Sequence, residues 1–480
     1  MPMIRTKILA TIGPACNEDE ALARMFEAGL DVVRLNFSHG TLAEHTVALE
    51  RIRRVARERG LTVAVVGDLC GPRIRVGDLA EDSCELRQGA QVVIQREPCE
   101  GTAGRISTNH PAIVDDVAVG GVVLIDDGMI RLRVVDKTSD QLVCQVDIGG
   151  TLVGRKGVNL PDAAISTPAL TAKDLADLDW AIAHELDYVA LSFVRGPEDV
   201  YELRRQLKER NCEIGVIAKI EKPEALDHID EIIEHSDAIM VARGDLGVEM
   251  EAARVPLVQK DIVLRCRRAS VPVIIATQML QTMVTSPVPT RAEVSDIANA
   301  ILDGADVVML SAETSVGRYP VQAVATMNDV AEQTEEFLAR TGPPPEHHPA
   351  PASLRVTWSV VHGAQVLAGQ LGARLVGVWT ESGFTARLLS KRRLDQMIVG
   401  LSANERTCRR LCLLYGVVPQ HANRPDDDNE MLVELDRTFV ERGLVEQGDL
   451  IVVVAGTRLR EPGATNALLI HLVGTTSPPP

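Results

Sequence analysis

Aromatic residues are scarce: three Trp, four Tyr and six Phe in 480 residues, or 3%. The cores must therefore be built from Leu, Ile, Val and Ala, and a hydrophobic share of 45% is ample for that. No segment holds 18 consecutive apolar residues, which excludes a membrane-spanning helix of ordinary kind. An excess of basic residues is lacking too. Fifty Lys and Arg stand against 67 Asp and Glu, a net charge of −17, so no nucleic-acid partner is expected. Anionic substrates are not excluded, because a local cluster of Lys, Arg and metal ions can reverse the sign inside one cleft. The nine cysteines form no CxxC pair and no zinc-finger spacing. A zinc site is not expected, and a reducing compartment fits best. Cys408 and Cys412, one helical turn apart, are read as buried thiols. The opening "MPMIRTKILATIGPAC" has no signal-peptide pattern and runs straight into a strand-like stretch. A soluble, cytoplasmic protein without a membrane partner is expected.

What is present is rhythm. At 480 residues, more than one domain is expected. Short apolar runs alternate with amphipathic stretches: "TKILATI", "VVRLNF" and "LTVAVVGDL" come first. Between the last two, Ala48, Leu49, Ile52, Val55 and Ala56 fall on one helical face. From about 72 to 167 the texture changes to Gly, Val and Asp, with pieces such as "AQVVIQ", "GVVLIDDG" and "QLVCQVDI". This predicts an all-β insertion. The β/α rhythm then resumes with a helix opened by Thr171 as N-cap. "YVALSF", "GVIAKI", "AIMVA", "PVIIAT" and "DVVMLS" follow. Eight buried strands with intervening helices predict a (β/α)8 barrel, with a doubly wound sheet as the alternative. A last barrel helix is placed near 319–339, on Val324, Met327, Ala331 and Leu338. The Pro-rich 341–353, with His347 and His348, reads as a solvated linker. Beyond it "ARLVGVW", "QMIVGL", "LLYGVVP" and "DLIVVVAG" predict a smaller α/β domain over 354–480, ending in a disordered "SPPP". The expected division is thus 1–71 and 168–340 for the barrel and 72–167 for the insertion, followed by linker and C-terminal domain.

In a barrel every strand's C-terminal end faces one mouth. The ends carry Arg34, Asn36 and Ser38, then Asp68, Ser192, Lys219 with Glu221, Arg243 with Asp245, Thr277 with Gln278, and Ser311 with Glu313. Each alone reads as a solvated cap, and together they are costly unless they bind something. Lys219 and Glu221 are two apart on an extended strand and share a face. Glu221 and Asp245 are hard oxygen ligands suited to magnesium or manganese. The bland alternative is a pair of salt bridges, Lys219 with Glu221 and Arg243 with Asp245. Lys219 beside a metal-bound anion, with the Arg34 guanidinium, is the equipment of phosphoryl transfer.

The chain resembles the pyruvate kinase family over nearly its whole length. The motifs that carry the resemblance include "TKILATIGPA", "VVRLNFSHG", "GDLCGPRIR", "RKGVNLP", "IAKIEKPEAL", "IMVARGDLGVE", "ATQMLQTM", "PTRAEVSDIANAILDGADVVMLSAET" and "TESGFTARLLSK". The resemblance implies a barrel, a β-rich lid after its third strand and a C-terminal regulatory domain. It implies transfer of the phosphoryl group of phosphoenolpyruvate to ADP, giving pyruvate and ATP, in a homotetramer. Glu221 and Asp245 would hold the divalent metal, and backbone N–H groups around Gly244 would receive the substrate carboxylate. Lys219 and Arg34 would stabilise the phosphoryl group, Thr277 would join a proton relay, and Ser311 with Glu313 would support them. The nucleotide would lie against Arg34, Asn36, His39, Arg75 and Lys156. For His39 a helix-start role is the alternative.

Two further expectations come from the same resemblance. The loop Thr380, Ser382, Gly383 and Thr385 matches a phosphorylated-effector site, so activation by a sugar phosphate or AMP is expected. An ordinary N-cap from Ser382 or Thr385 is the alternative there. Many members hold potassium near the positions of Asn36, Ser38 and Asp68 and carry a glutamate at the position of Arg73. A potassium-independent branch has lysine there and leucine at Leu69. Arg73 is therefore read as a built-in cation, with no potassium requirement. Pointing into solvent is its bland alternative. Two other functions are weighed: a metal-dependent pyruvate-enolate aldolase, which needs no lid or C-terminal domain, and a catalytically dead binding protein.

Overall fold

The computed structural model describes residues 4–161, 163, 166–341, 354–425, 428–456 and 465–475. The Pro-rich linker with His347 and His348, and the terminal "SPPP", lie outside the described residues. Eight strands close into a parallel barrel: β1 (Lys7–Thr11), β2 (Val32–Asn36) and β3 (Ala64–Asp68) come before the insertion. The insertion holds β4 (Ser83–Leu86), β5 (Gln91–Gln95), β6 (Arg105–Ser107), β7 (Val122–Ile125), β8 (Ile130–Lys137), β9 (Gln141–Ile148), β10 (Gly150–Val153) and β11 (Val158–Asn159). The barrel is completed by β12 (Tyr188–Leu191), β13 (Gly215–Ile220), β14 (Ala238–Ala242), β15 (Val273–Ala276) and β16 (Val307–Leu310), with β16 pairing β1. The alternative doubly wound sheet is thereby ruled out.

The barrel strands are apolar on both faces because helices cover the outside and side chains fill the inside. Helix starts follow the local chemistry. Thr171 caps Ala172–Ala183 in a reciprocal box with Asp174, and Thr41 with Glu44 and Thr290 with Glu293 do the same for their helices. The last barrel helix runs Pro320–Thr341 and buries Ala323, Val324, Met327 and Ala331.

The floor of the barrel repeats one device four times. Asp31, Asp187, Asp237 and Asp306 each stand one residue before the second, fourth, sixth or eighth barrel strand. Each donates its backbone N–H to the carbonyl of a residue on the preceding strand: Ile8, Val65, Val216 and Val273. Each carboxylate then accepts that same residue's N–H, at 2.7–2.9 Å. The clamp fixes the stagger of each strand pair and gives the first N–H groups at the floor a partner.

The inserted domain is a six-stranded sheet in the order β11-β7-β8-β9-β5-β6 with a two-stranded β10-β4 beside it. The C-terminal domain is a five-stranded sheet of β17 (Leu375–Trp379), β18 (Met397–Ser402), β19 (Val417–His421), β20 (Leu450–Ala455) and β21 (Ala467–Leu472). The antiparallel edge strand β21 is not anticipated from the sequence. This domain docks on the barrel floor. Cys412 and Leu413 join the apolar cluster of Leu9, Val32, Val66 and Ile217. Lys391 and Arg393 pair with Asp306, and Arg409 pairs with Asp187 at 2.8 Å. Cys408 and Cys412 are buried, and burial pushes both thiols up. Among the described residues no helix is long and apolar enough to cross a membrane.

Candidate active site

The strand ends do converge. Asp68, the last residue of β3, is almost wholly buried and bonds two cations at once. Its Oδ2 accepts from Arg34 Nε at 2.6 Å and its Oδ1 from Lys219 Nζ at 3.2 Å. Lys219 also reaches Ser192 Oγ at 2.7 Å and Glu221 Oε1 at 2.9 Å. Arg34 donates further to Thr11 Oγ1 at 2.8 Å. Burial alone would push the Asp68 carboxyl up, but Lys219 and Arg34 outweigh it and hold it below the usual carboxylate range. Burial likewise would lower Lys219, and Asp68 and Glu221 outweigh that, so its ammonium stays charged.

Glu221 has both oxygens engaged, Oε1 by Lys219 and Oε2 by the N–H of Phe193 at 2.7 Å. Asp245 is pushed up to about 6, first by burial and then by the neighbouring Glu221 charge, while Lys219 and Arg73 pull it back. A repelling carboxylate pair fits a divalent cation, which would relieve the repulsion. Among the described residues no group of three or more His, Cys, Asp or Glu is placed to hold a metal ion. A cation on these two residues would need further oxygens from substrate or water.

Arg243 does not pair with Asp245. Its guanidinium bonds Asp296 at 2.7 Å and the Thr277 carbonyl at 2.9 Å. Thr277 and Gln278 both hold left-handed backbone, φ 70° and 57°, which non-glycine residues adopt at a cost. That conformation turns Thr277 Oγ1 onto the Gly244 N–H at 2.7 Å, so this N–H already has a partner. Glu313 ties two loops by accepting from Ser311 N–H at 2.7 Å and Leu280 N–H at 3.1 Å.

Arg73 is half-buried and lines a cavity of about 30 Å³ together with Asp245 and Asp127. Its charge is felt at Asp245 and at His39, whose imidazole is held below its ordinary value by burial first, then by Arg73, Arg75 and Arg34. Arg75 bonds the Arg155 carbonyl, and Lys156 pairs with Asp126 at 2.9 Å. Asn36 accepts the Ser38 N–H at 3.1 Å, next to Asp68 across the β2–β3 pairing. In the C-terminal domain Gly383, φ 82°, is the N-cap of the helix Phe384–Lys391. Neither Ser382 nor Thr385 caps it. Thr380 Oγ1 accepts the Gly383 N–H at 3.0 Å, Thr385 meets Thr465, and Ser382 is exposed.

Sequence reasoning missed a trio beside this site, the buried Lys222 and Glu249 with the half-buried Asn159. Lys222 Nζ and Asn159 Nδ2 both bond Glu249 Oε1, at 2.7 and 2.8 Å. The available signal was spacing: Lys222 follows Glu221, and Glu249 lies one helical turn after Asp245.

A barrel mouth with a fixed ammonium and guanidinium beside underneutralised carboxylates, roofed by an inserted β domain, defines an enzyme of the phosphotransferase class. Comparison with known proteins agrees. Residues 3–324 match the family model "Pyruvate kinase, barrel domain", and residues 359–471 match "Pyruvate kinase, alpha/beta domain". The pyruvate kinase of Bacillus licheniformis is 41% identical, over 98% of this chain and 81% of its own. That of Geobacillus stearothermophilus is 42% identical, over 98% and 80%. The crystal structure of a Cryptosporidium parvum pyruvate kinase superposes with a TM-score of 0.90 at 35% identity, covering 98% of this chain and 96% of that one. The chain belongs to the pyruvate kinase family. Members are phosphotransferases that use phosphoenolpyruvate and ADP, and they generally require a divalent metal.

The raised Asp245 has a stability consequence. Its folded value of about 6 lies above the ordinary 3.8, so the folded state holds the proton more tightly than the unfolded chain. The stabilisation is full below pH 3.8 and is lost as pH rises through about 6. Asp245→Asn stays neutral throughout. It should make the metal-free protein more stable at pH 7 by about 1–2 kcal/mol, the full shift being discounted for partial exposure, and give no gain near pH 4. Urea denaturation at the two pH values measures this, and an equal effect at both would contradict it.

Proposed function

We propose that this chain transfers the phosphoryl group of phosphoenolpyruvate to ADP, as a magnesium- or manganese-dependent, cytoplasmic, homotetrameric enzyme. The observation that carries the reading is Lys219, a buried ammonium kept charged by Asp68 and Glu221 at the barrel mouth. A bound divalent cation would supply Lewis-acid polarisation of substrate oxygens at Glu221 and Asp245. Lys219 and Arg34 would meet the charge on the phosphoryl oxygens, and Lys219 would then face the enolate. Both are already fixed by Asp68, so little reorganisation is needed as charge develops. Thr277 would pass a proton toward the enolate, releasing the Gly244 N–H for the substrate carboxylate. Ser311, held by Glu313, would support that wall. The segment 72–167 would act as the lid, bringing Lys156 toward a nucleotide bound against Arg34, Asn36, His39 and Arg75 and excluding water.

We further propose that Arg73 replaces a monovalent cation and that Asn36, Ser38 and Asp68 are a vestigial site for one. Both Asp68 oxygens are taken by Arg34 and Lys219, and Arg73 is half-buried near Asp245 rather than turned to solvent. The loop at Thr380, Ser382, Gly383 and Thr385 is proposed to bind the phosphate of a sugar phosphate or AMP. Gly383 in left-handed conformation at a helix start, with Ser382 exposed, supports an anion nest over a simple cap.

A coupled assay for pyruvate from phosphoenolpyruvate and ADP tests the reaction. Lys219→Met should fold and bind metal but lose on the order of a hundred- to thousandfold in turnover. Retention of more than about a tenth of the activity would remove Lys219 from its role. In buffer free of sodium and potassium, with a large organic cation at constant ionic strength, added potassium should change the rate less than about twofold, roughly 0.4 kcal/mol. Arg73→Glu should lose activity there and regain part of it with potassium. A wild-type enzyme silent until potassium is added would refute the assignment. Titration of sugar phosphates and AMP at low phosphoenolpyruvate should reveal an activator, and no response in rate or thermal stability would eliminate the effector loop.

A further inference from the structure

The trio of Lys222, Glu249 and Asn159 joins three separate parts of the molecule. Lys222 directly follows Glu221 in the chain, just past β13. Glu249 ends the short helix Arg243–Glu249, whose first turn carries Asp245. Asn159 is the last residue of β11, where the chain returns from the inserted domain. One carboxylate oxygen, Glu249 Oε1, takes both the Lys222 ammonium at 2.7 Å and the Asn159 amide at 2.8 Å. The ion pair is sealed from solvent, with the Lys222 side chain 4% exposed and that of Glu249 1% exposed.

As a stability device this is a poor choice. Two charges leave water, and Glu249 Oε2 is buried without a hydrogen-bond partner. A buried pair with an unsatisfied oxygen is seldom better than an apolar pair of the same size. What it does supply is geometry. The loop after β13 and the helix after β14 carry Glu221 and Asp245, and those two carboxylates repel. A short, dry ion pair one residue beyond Glu221 and one helical turn beyond Asp245 holds both loops at a fixed separation. Asn159 brings the inserted domain to the same oxygen. Glu249 and Asn159 also line the cavity shared with Asp245 and Arg73.

We propose that the Lys222–Glu249 pair is a brace that sets the spacing of the metal-binding carboxylates, and that Asn159 couples the position of the lid to that brace. All three are positioning residues, acting through Glu221 and Asp245. The inference rests on the reading of that pair as the metal site. The brace makes a divalent cation bind to preset ligands, which raises its affinity before any substrate arrives. The Asn159 link seats the lid on that brace, while Lys222 and Glu249 alone set the separation of the two metal ligands.

The test is Mn²⁺ binding to the substrate-free protein, followed by electron paramagnetic resonance, alongside steady-state kinetics and thermal denaturation. Glu221→Gln, which removes a ligand, should abolish Mn²⁺ binding. Glu249→Gln and Lys222→Met should each weaken it about 10-fold or more, in line with loss of a residue that orients a metal ligand. The double variant Lys222→Met/Glu249→Met should recover thermal stability without recovering Mn²⁺ affinity. Asn159→Ala should leave Mn²⁺ affinity within about twofold in the substrate-free protein, yet lower kcat about 10-fold and speed hydrogen exchange across 72–167. If Glu221→Gln binds Mn²⁺ as the wild type does, the metal reading fails and the brace falls with it. Where Glu221→Gln behaves as expected but folded Glu249→Gln and Lys222→Met keep wild-type affinity, the brace alone is overturned. Recovery of both stability and Mn²⁺ affinity in the double Met variant would overturn it as well. An Asn159→Ala variant with unchanged kcat and exchange would remove the lid coupling.

Discussion

The Asp68 carboxylate divides itself between Arg34 at 2.6 Å and Lys219 at 3.2 Å, and the arrangement of the barrel mouth depends on that sharing. Arg34 sits on β2, Asp68 ends β3 and Lys219 lies on β13, so one anion crosslinks three strands of the barrel wall. With Glu221 it also offsets the burial of Lys219, whose ammonium is held above its ordinary value. Removing one member of such a set leaves a buried charge without compensation, which is far worse than never having built it. The cost is accepted because the charges must be in place before the substrate arrives.

The two ends of the barrel use aspartates for opposite purposes. On the floor, Asp31, Asp187, Asp237 and Asp306 clamp strand to strand through their own backbone and side chain, and Lys7, Arg409, Arg204 and Lys391 neutralise them. Two of those cations, Arg409 and Lys391, belong to the C-terminal domain. Each floor carboxylate thus has a backbone donor and a cation, although burial still holds those of Asp31 and Asp187 above their ordinary value. At the mouth, burial first and the neighbouring Glu221 charge second raise the Asp245 carboxyl, and Lys219 and Arg73 pull it back only in part. A buried carboxylate beside a second one gains free energy when a cation joins them.

The barrel was legible in the sequence because its strands are short, continuously apolar runs spaced by amphipathic helices. Lys219 and Glu221 were legible because extended backbone puts residues two apart on one side. Other features depend on contacts that no local pattern encodes. Arg243 looks committed to Asp245, two residues away, yet a turn of helix carries Asp245 elsewhere, and Asp296 on a later helix takes the guanidinium. Ser382 and Thr385 look like caps, but Gly383 takes the N-cap position and only Thr380 bonds its N–H. The edge strand β21 pairs antiparallel with β20, and its half-exposed residues lack the buried signature of its neighbours. Asn159, 90 residues before Glu249, has no local signal at all.

A net charge of −17 over the chain is no guide to the mouth. There Arg34, Arg73 and Lys219 stand among Asp68, Glu221, Asp245 and Asp127, so positive charge is met by carboxylates throughout. Such a site does not draw in anions by bulk charge as a basic surface would. An anionic substrate brought alone would add negative charge to it, and a divalent cation brought alone would add positive charge. Each therefore makes the other's binding more favourable, and by linkage the effect is mutual. A permanent guanidinium at Arg73 shifts this balance by one charge without taking an ion from solution. The selectivity of the site for a metal together with an anion then follows from the charges of these side chains, before any shape complementarity is considered.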